Sequence, residues 1–103
     1  MKLRLIFFML LVFSFTSHLK SDEIFLKGKE IFLNAGNCAS CHTLKDAGSV
    51  ANIGPNLNEI KPAAGRVKNS VINGIGVMPS ALGILTDEEI DAVSHYVSVS
   101  SNY

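Results

Sequence analysis

Cys38, Cys41 and His42 fall together in Cys38-Ala39-Ser40-Cys41-His42, which holds both cysteines of a 103-residue chain. Two cysteines three apart could form a redox dithiol, supply half of a zinc site, or make two thioether bonds to the vinyl groups of a haem whose iron the next histidine ligates. The adjoining histidine separates these chemistries. A short loop closing into a helical turn would set both sulfurs beside the vinyl groups and swing the imidazole onto the iron, and that requirement fixes the spacing. Zinc would need two more ligands, and no further cysteine is available. A thioredoxin-like site needs a strand before the motif within a βαβ chain, whereas a helical pattern precedes it here. Chance occurrence of this pentapeptide in a short chain falls below roughly one per cent, given how uncommon Cys and His are. Haem attachment is the reading these residues favour.

A six-coordinate iron then needs a second axial ligand. Beyond residue 21 the chain has one methionine, Met78, and one further histidine, His95; His18 stands earlier. Met78 lies in Gly74-Ile75-Gly76-Val77-Met78-Pro79, where the glycines let backbone approach a flat surface and Pro79 stiffens the loop. A lone methionine in such a loop reads as a ligand rather than a core filler. His95 sits inside a helical pattern, whose backbone cannot approach a haem face as a loop can, and reads as structural or solvent-facing.

The elements that must position these groups are helical. From Asp22 to about Ala35, Ile24, Gly28, Ile31, Phe32 and Ala35 recur at three- and four-residue spacing, with Ser21 or Asp22 as candidate cap and Gly36-Asn37 as the stop. A shorter helix is expected over Arg66 to Ile72, with Val67 and Val71 four apart and Asn73-Gly74 ending it. Thr86-Asp87-Glu88-Glu89 is a capping box that opens a third helix carrying Ile90, Val93, Tyr96 and Val97. Gly-, Pro- and Asn-rich loops are expected at Gly48 to Asn58 and Gly74 to Gly83. Strand patterning is nearly absent; the Val97-Ser98-Val99-Ser100 alternation reads as the frayed end of the last helix.

The N-terminus has a different purpose. Lys2 and Arg4 precede nine unbroken apolar residues, Leu5 to Phe13, followed by small polar residues. This predicts a secretion signal over residues 1–21, too short in its apolar run for the about 20 residues of a membrane span. The remaining domain, 22–103, carries 6 Lys/Arg against 9 Asp/Glu, a net charge of −3. No basic stripe is left to neutralise phosphates, which argues against a nucleic-acid partner. A chain of 82 residues retaining only Phe25, Phe32, Tyr96 and Tyr103 as aromatics is small for an independent core and calls for a staple such as a cofactor.

Together, Cys38-Ala39-Ser40-Cys41-His42, Gly54-Pro55-Asn56-Leu57, Met78-Pro79 and the run from Leu85-Thr86-Asp87-Glu88-Glu89-Ile90 to Tyr96-Val97 resemble a small class I c-type cytochrome over essentially all of Asp22 to Val97. The resemblance implies an all-α fold of three to four short helices wrapped around one haem c attached through Cys38 and Cys41, with His42 and Met78 as axial ligands. It also implies that the Pro55 carbonyl orients the His42 imidazole, and that Gly28, Phe32 and Tyr96 pack the first helix across the last. No Trp is present to meet the haem propionates, for which Arg66 and Asn73 are candidates. The implied function is single-electron transfer between redox proteins in the periplasm, as a diffusible carrier or the small cytochrome subunit of an oxidoreductase. The haem edge would dock partners through Ala39, Ser40, Ile53, Val77, Pro79 and Ala81, and a membrane would be met only through those partners unless the signal is kept as an anchor. The rival readings are a haem enzyme or gas sensor with an open iron, and a haem-free dithiol or metal-binding module.

Overall fold

The computed structural model describes residues 20–103, so the expected signal over 1–21 falls outside it except for its last two positions. The first helix, α1, is helical over 20–33 and already contains Ser21 and Asp22, so neither caps it. It ends as its sequence directs: the Gly36 N–H returns to the Ile31 carbonyl at 2.8 Å, and Asn37 turns the chain with a left-handed φ of 53°.

The last helix, α4 (Asp87–Ser100), begins with the expected capping box. The Thr86 hydroxyl accepts from the Glu89 N–H at 3.2 Å and the Glu89 carboxylate from the Thr86 N–H at 2.9 Å. These hydrogen bonds to Thr86 hold the Glu89 carboxyl below its ordinary pKa. The Val97-to-Ser100 alternation is not a frayed end: α4 stays helical through it. Ser94 and Ser100 of α4 can be buried because each hydroxyl donates back one turn, to the carbonyls of Ile90 at 2.7 Å and Tyr96 at 2.6 Å.

Helix α1 crosses α4 at Gly28. A Cβ at that position would overlap the Ala92 carbonyl and stand 2.5 Å from Tyr96 Cβ, so only glycine permits the approach. Tyr96, fully buried, takes Phe25 and Phe32 edge-on with ring centroids 4.9 and 5.8 Å away. Ile31, Phe32, Ile90, Val93 and Val97 complete the buried contact. Ile24 and Ala35 are exposed instead of buried; Ala35 lies in the turn beyond the end of α1.

Between these helices the chain makes elements too short for periodicity to reveal. Strands β1 (Thr43–Leu44) and β2 (Ser49–Val50) pair antiparallel around a 3₁₀ turn at Lys45–Ala47. The expected loop at Gly48 to Asn58 holds β2 and the start of α2 (Leu57–Ile60), which Asn56 caps by accepting from the N–H groups of Asn58 and Glu59. Lys61 in a left-handed conformation, with Pro62 after it, stops that helix. Helix α3 (Ala64–Asn73) extends the expected segment by two residues at its start and one at its end, and Gly74 terminates it with φ 72°. It packs along α4. The fold is thus mainly helical, as expected, with one two-residue strand pair added.

Candidate functional site

The cysteines lie on a single tight turn. Asn37 launches a 3₁₀ turn at Cys38–Ser40, and the Cys38 carbonyl accepts from both the Cys41 N–H at 3.2 Å and the His42 N–H at 3.0 Å. This closure brings the two cysteines onto one turn and places His42 immediately before β1. Both thiols are half-buried and unbridged. Burial pushes the Cys38 thiol up to about 11, the reverse of what a reactive dithiol requires. The zinc alternative also lacks ligands: among the described residues no three His, Cys, Asp or Glu side chains are grouped to hold a metal ion.

His42 is held from one side by the loop that follows the hairpin. The Gly54 N–H donates to the Cys41 carbonyl at 2.7 Å, fastening that loop under the cysteine turn. The Pro55 carbonyl then lies 2.8 Å from His42 Nδ1. A carbonyl can only accept, so Nδ1 carries the proton and Nε2 keeps its lone pair, the tautomer a metal ligand needs. Gly54 makes room for the ring, since a Cβ there would come within 2.5 Å of Cε1 and 3.0 Å of Nε2.

Met78 comes from a separate loop, fixed to the end of α3. Ile75 and Met78 exchange backbone hydrogen bonds at 3.0 and 2.9 Å, leaving Gly76-Val77 as the tip. The carbonyls that end α3 hold the return strand of this loop: Val71 accepts from the Ala81 N–H at 2.8 Å and Ile72 from the Ser80 hydroxyl at 2.5 Å. These are carbonyls for which a helix end has no internal partner. Ser80 was not singled out from the sequence, because a serine after proline carries no pattern of its own.

Cys38, Cys41, His42, Pro55 and Met78 all line one cavity of about 380 Å³, within the about 300–1,000 Å³ typical of cofactor pockets. Its other walls are largely apolar and include Phe32, Leu57, Val67, Val71, Leu85, Val93 and Val97. Arg66 is on this wall and Asn73 is not, which separates the two propionate candidates. His95 is half-buried on α4 and faces elsewhere. A flat apolar macrocycle with two vinyl groups and an iron fits this set: two thiols on one turn, an imidazole with a free Nε2, a thioether from another loop, and apolar walls between.

A mainly helical frame closed around such a cavity, with C-x-x-C-H at its wall, defines a c-type cytochrome. The family model for cytochrome c oxidase, cbb3-type, subunit III matches residues 25–97. Cytochrome c6 from Cladophora glomerata is 33% identical over 81 residues, covering 73% of this chain and 87% of that one. The crystal structure of the c-type cytochrome SorU from Sinorhizobium meliloti superposes with a TM-score of 0.74 at 52% identity, over 78% of this chain and 93% of the other. The chain belongs to this cytochrome c family: it is a small class I c-type cytochrome that carries single electrons on one covalently bound haem c. The haem-free reading is thereby set aside.

Proposed function

We propose that the protein is an exported, periplasmic electron carrier, or the small cytochrome subunit of an oxidoreductase, in which His42 and Met78 are the axial ligands. In this reading it catalyses no substrate reaction of its own, because His42 and Met78 would together hold the iron and leave a substrate no place on it. The observation that carries it is the His42–Pro55 hydrogen bond of 2.8 Å in a cavity that Met78 also lines. When bound, haem c supplies an iron that accepts one electron from a donor and returns it to an acceptor. The chain supplies the rest. Cys38 and Cys41 tether, Pro55 keeps the proton on Nδ1 so that Nε2 remains a donor to metal, and the apolar walls exclude water. Held by the Met78 thioether and the His42 imidazole, the iron would favour its reduced state, which would raise the potential.

Docking is assigned to the mouth of the cavity, where Ile53, Ile75 and Val77 are 67, 65 and 89% exposed. From Asn69 to Thr86 the chain carries no charged residue, and Pro79 and Ser40 beside this mouth are exposed and neutral. Such a face fits a brief, largely apolar contact with a redox protein, steered only weakly by charge. Among the described residues no helix is long and apolar enough to cross a membrane.

The test is production through an export and cytochrome-maturation pathway, followed by extraction with acid acetone. Haem should stay with the protein, which should show low-spin c-type bands and a sulfur-to-iron charge-transfer band. Complete extraction of haem would refute attachment, and high-spin bands would favour the open-iron enzyme or sensor.

A further inference from the structure

Between Gly74 and Leu85 every side chain but one is apolar or absent, and the exception is Ser80. Its hydroxyl donates to the Ile72 carbonyl at 2.5 Å and accepts from the Leu82 N–H at 3.2 Å. Pro79 before it has no N–H to offer. Ser80 is thus the one residue of this stretch whose side chain ties the Met78 loop to the end of α3. The return strand's other tie to α3, from the Ala81 N–H to the Val71 carbonyl at 2.8 Å, is backbone. The approach there is close: a Cβ on Gly74 would stand 2.7 Å from the Met78 carbonyl oxygen and 2.9 Å from the Ser80 nitrogen. Pro79 and Ala81 line the cavity and Ser80 does not; its half-buried side chain engages the helix end instead.

A thioether carries no charge to draw it to an iron cation, so a methionine ligand is retained by whatever holds its loop as well as by the sulfur–iron bond. Loop closed and loop lifted are two states of one equilibrium, and a hydrogen bond made only in the closed state shifts that equilibrium by its own strength. We propose that Ser80 is a positioning residue that holds Met78 on the iron, its hydroxyl setting how rarely the iron is left open to an external ligand. Without that hydroxyl the Ile72 carbonyl, one of those a helix end leaves over, has no donor while the loop is closed. Lifting the loop would let water reach it, so the closed state loses its advantage. Ser80 thereby keeps the site a carrier of electrons rather than a binder of small ligands.

This rests on Met78 being the axial ligand, as proposed above. The test is stopped-flow binding of imidazole to the ferric holoproteins of wild type, S80A, S80C and S100A. As imidazole is raised, the binding rate levels off at the rate at which the thioether leaves the iron. S80A is expected to raise that limit about five- to tenfold, the effect of losing a neutral hydrogen bond of ordinary strength. S80C, a weaker donor, should fall between S80A and wild type. S100A removes a serine-to-carbonyl bond of the same kind away from the loop, to Tyr96 at 2.6 Å, and should leave the limit unchanged while lowering the urea midpoint. An S80A limit within about twofold of wild type, less than the weakest such bond would give, would overturn the assignment. So would an equal rise in S100A, which would make the effect one of global stability. If S80A yields no holoprotein, S80C decides by the same criterion. A wild-type rate that rises without levelling off, in a protein lacking the sulfur-to-iron band, would instead overturn the Met78 ligation, and this proposal with it.

Discussion

Tyr96→Ala should be among the most damaging single changes in the helical frame, and its neighbour His95→Ala among the mildest. Tyr96 is fully buried, meets Phe25 and Phe32 edge-on at 4.9 and 5.8 Å, and donates its hydroxyl to Asp46 at 2.8 Å. Deleting a buried aromatic costs about 3–5 kcal/mol, and the lost hydrogen bond to a carboxylate adds about 1 kcal/mol. The lower end applies to that bond because Asp46 keeps Lys29 at 3.4 Å and is 22% exposed. A total of about 4–6 kcal/mol lowers Tm by roughly 16–48 °C in a domain of this size. His95, one residue earlier and about 100° around the helix, is half-buried and off the cavity wall, so its truncation should cost under about 1 kcal/mol. Urea denaturation of the holoproteins, followed by far-ultraviolet dichroism, measures both. Tyr96→Phe adds a pH test. Burial, then Asp46, raises the Tyr96 pKa above its usual value, so the folded state holds this proton more tightly than the unfolded chain. The stability this confers is fully present below about pH 10, the ordinary tyrosine pKa, and is lost as pH rises beyond it. The stability gap between wild type and Tyr96→Phe should therefore narrow above about pH 10. Equal costs for the two alanine variants, or an altered axial spectrum in His95→Ala, would refute both the helix packing and the ligand assignment.

Met78→Ala should abolish the sulfur-to-iron band, lower the potential and admit carbon monoxide; an unchanged spectrum would move the ligand elsewhere, with His95 the first suspect. Gly54→Ala places a Cβ 2.5 Å from His42 Cε1, so the ring must leave the Pro55 carbonyl, and the holoprotein should lose about 1–3 kcal/mol of stability together with a shifted Soret band. Thr86→Ala removes the α4 cap and should cost about 1 kcal/mol in urea without moving the potential. Cys41→Ala should yield little folded protein after export, measured as recovered haem and helicity.

The parts of this molecule legible in its sequence are those that repeat or that need unusual residues. The capping box at Thr86 and Glu89 and the stops at Asn37 and Gly74 each follow from a local rule that one residue type satisfies, while the crossing at Gly28 was implied by the family resemblance. The gathering of Cys38, Cys41, His42, Pro55 and Met78 around one cavity was anticipated from short motifs joined by the family resemblance. What escaped was built from side chain to backbone over long separations. Asn58 ties the Lys45 N–H at 2.7 Å to the Ser101 carbonyl at 3.2 Å, and Asp46 links the hairpin to α1 and α4 through Lys29 and Tyr96. A buried Leu44 in a two-residue strand is likewise invisible to any periodicity count.

These hidden ties explain how so short a strand pair can hold His42, the proposed ligand, in place. A two-residue ladder is marginal in water on its own, yet β1 follows His42 directly. Its stiffness comes from outside the ladder: Thr43 donates its hydroxyl to the Ala51 carbonyl at 2.7 Å, the Leu44 N–H reaches the Ser49 hydroxyl at 3.1 Å, and Asn58 and Asp46 clamp the turn. Phe32, Leu57, Val71, Leu85, Val93 and Val97 are at once the buried core and the walls of the cavity. Packing the helices and shaping the cofactor site are therefore one act of folding. A chain with four aromatic residues from Asp22 onward needs the haem as core, and the haem needs those same side chains to exclude water from its iron.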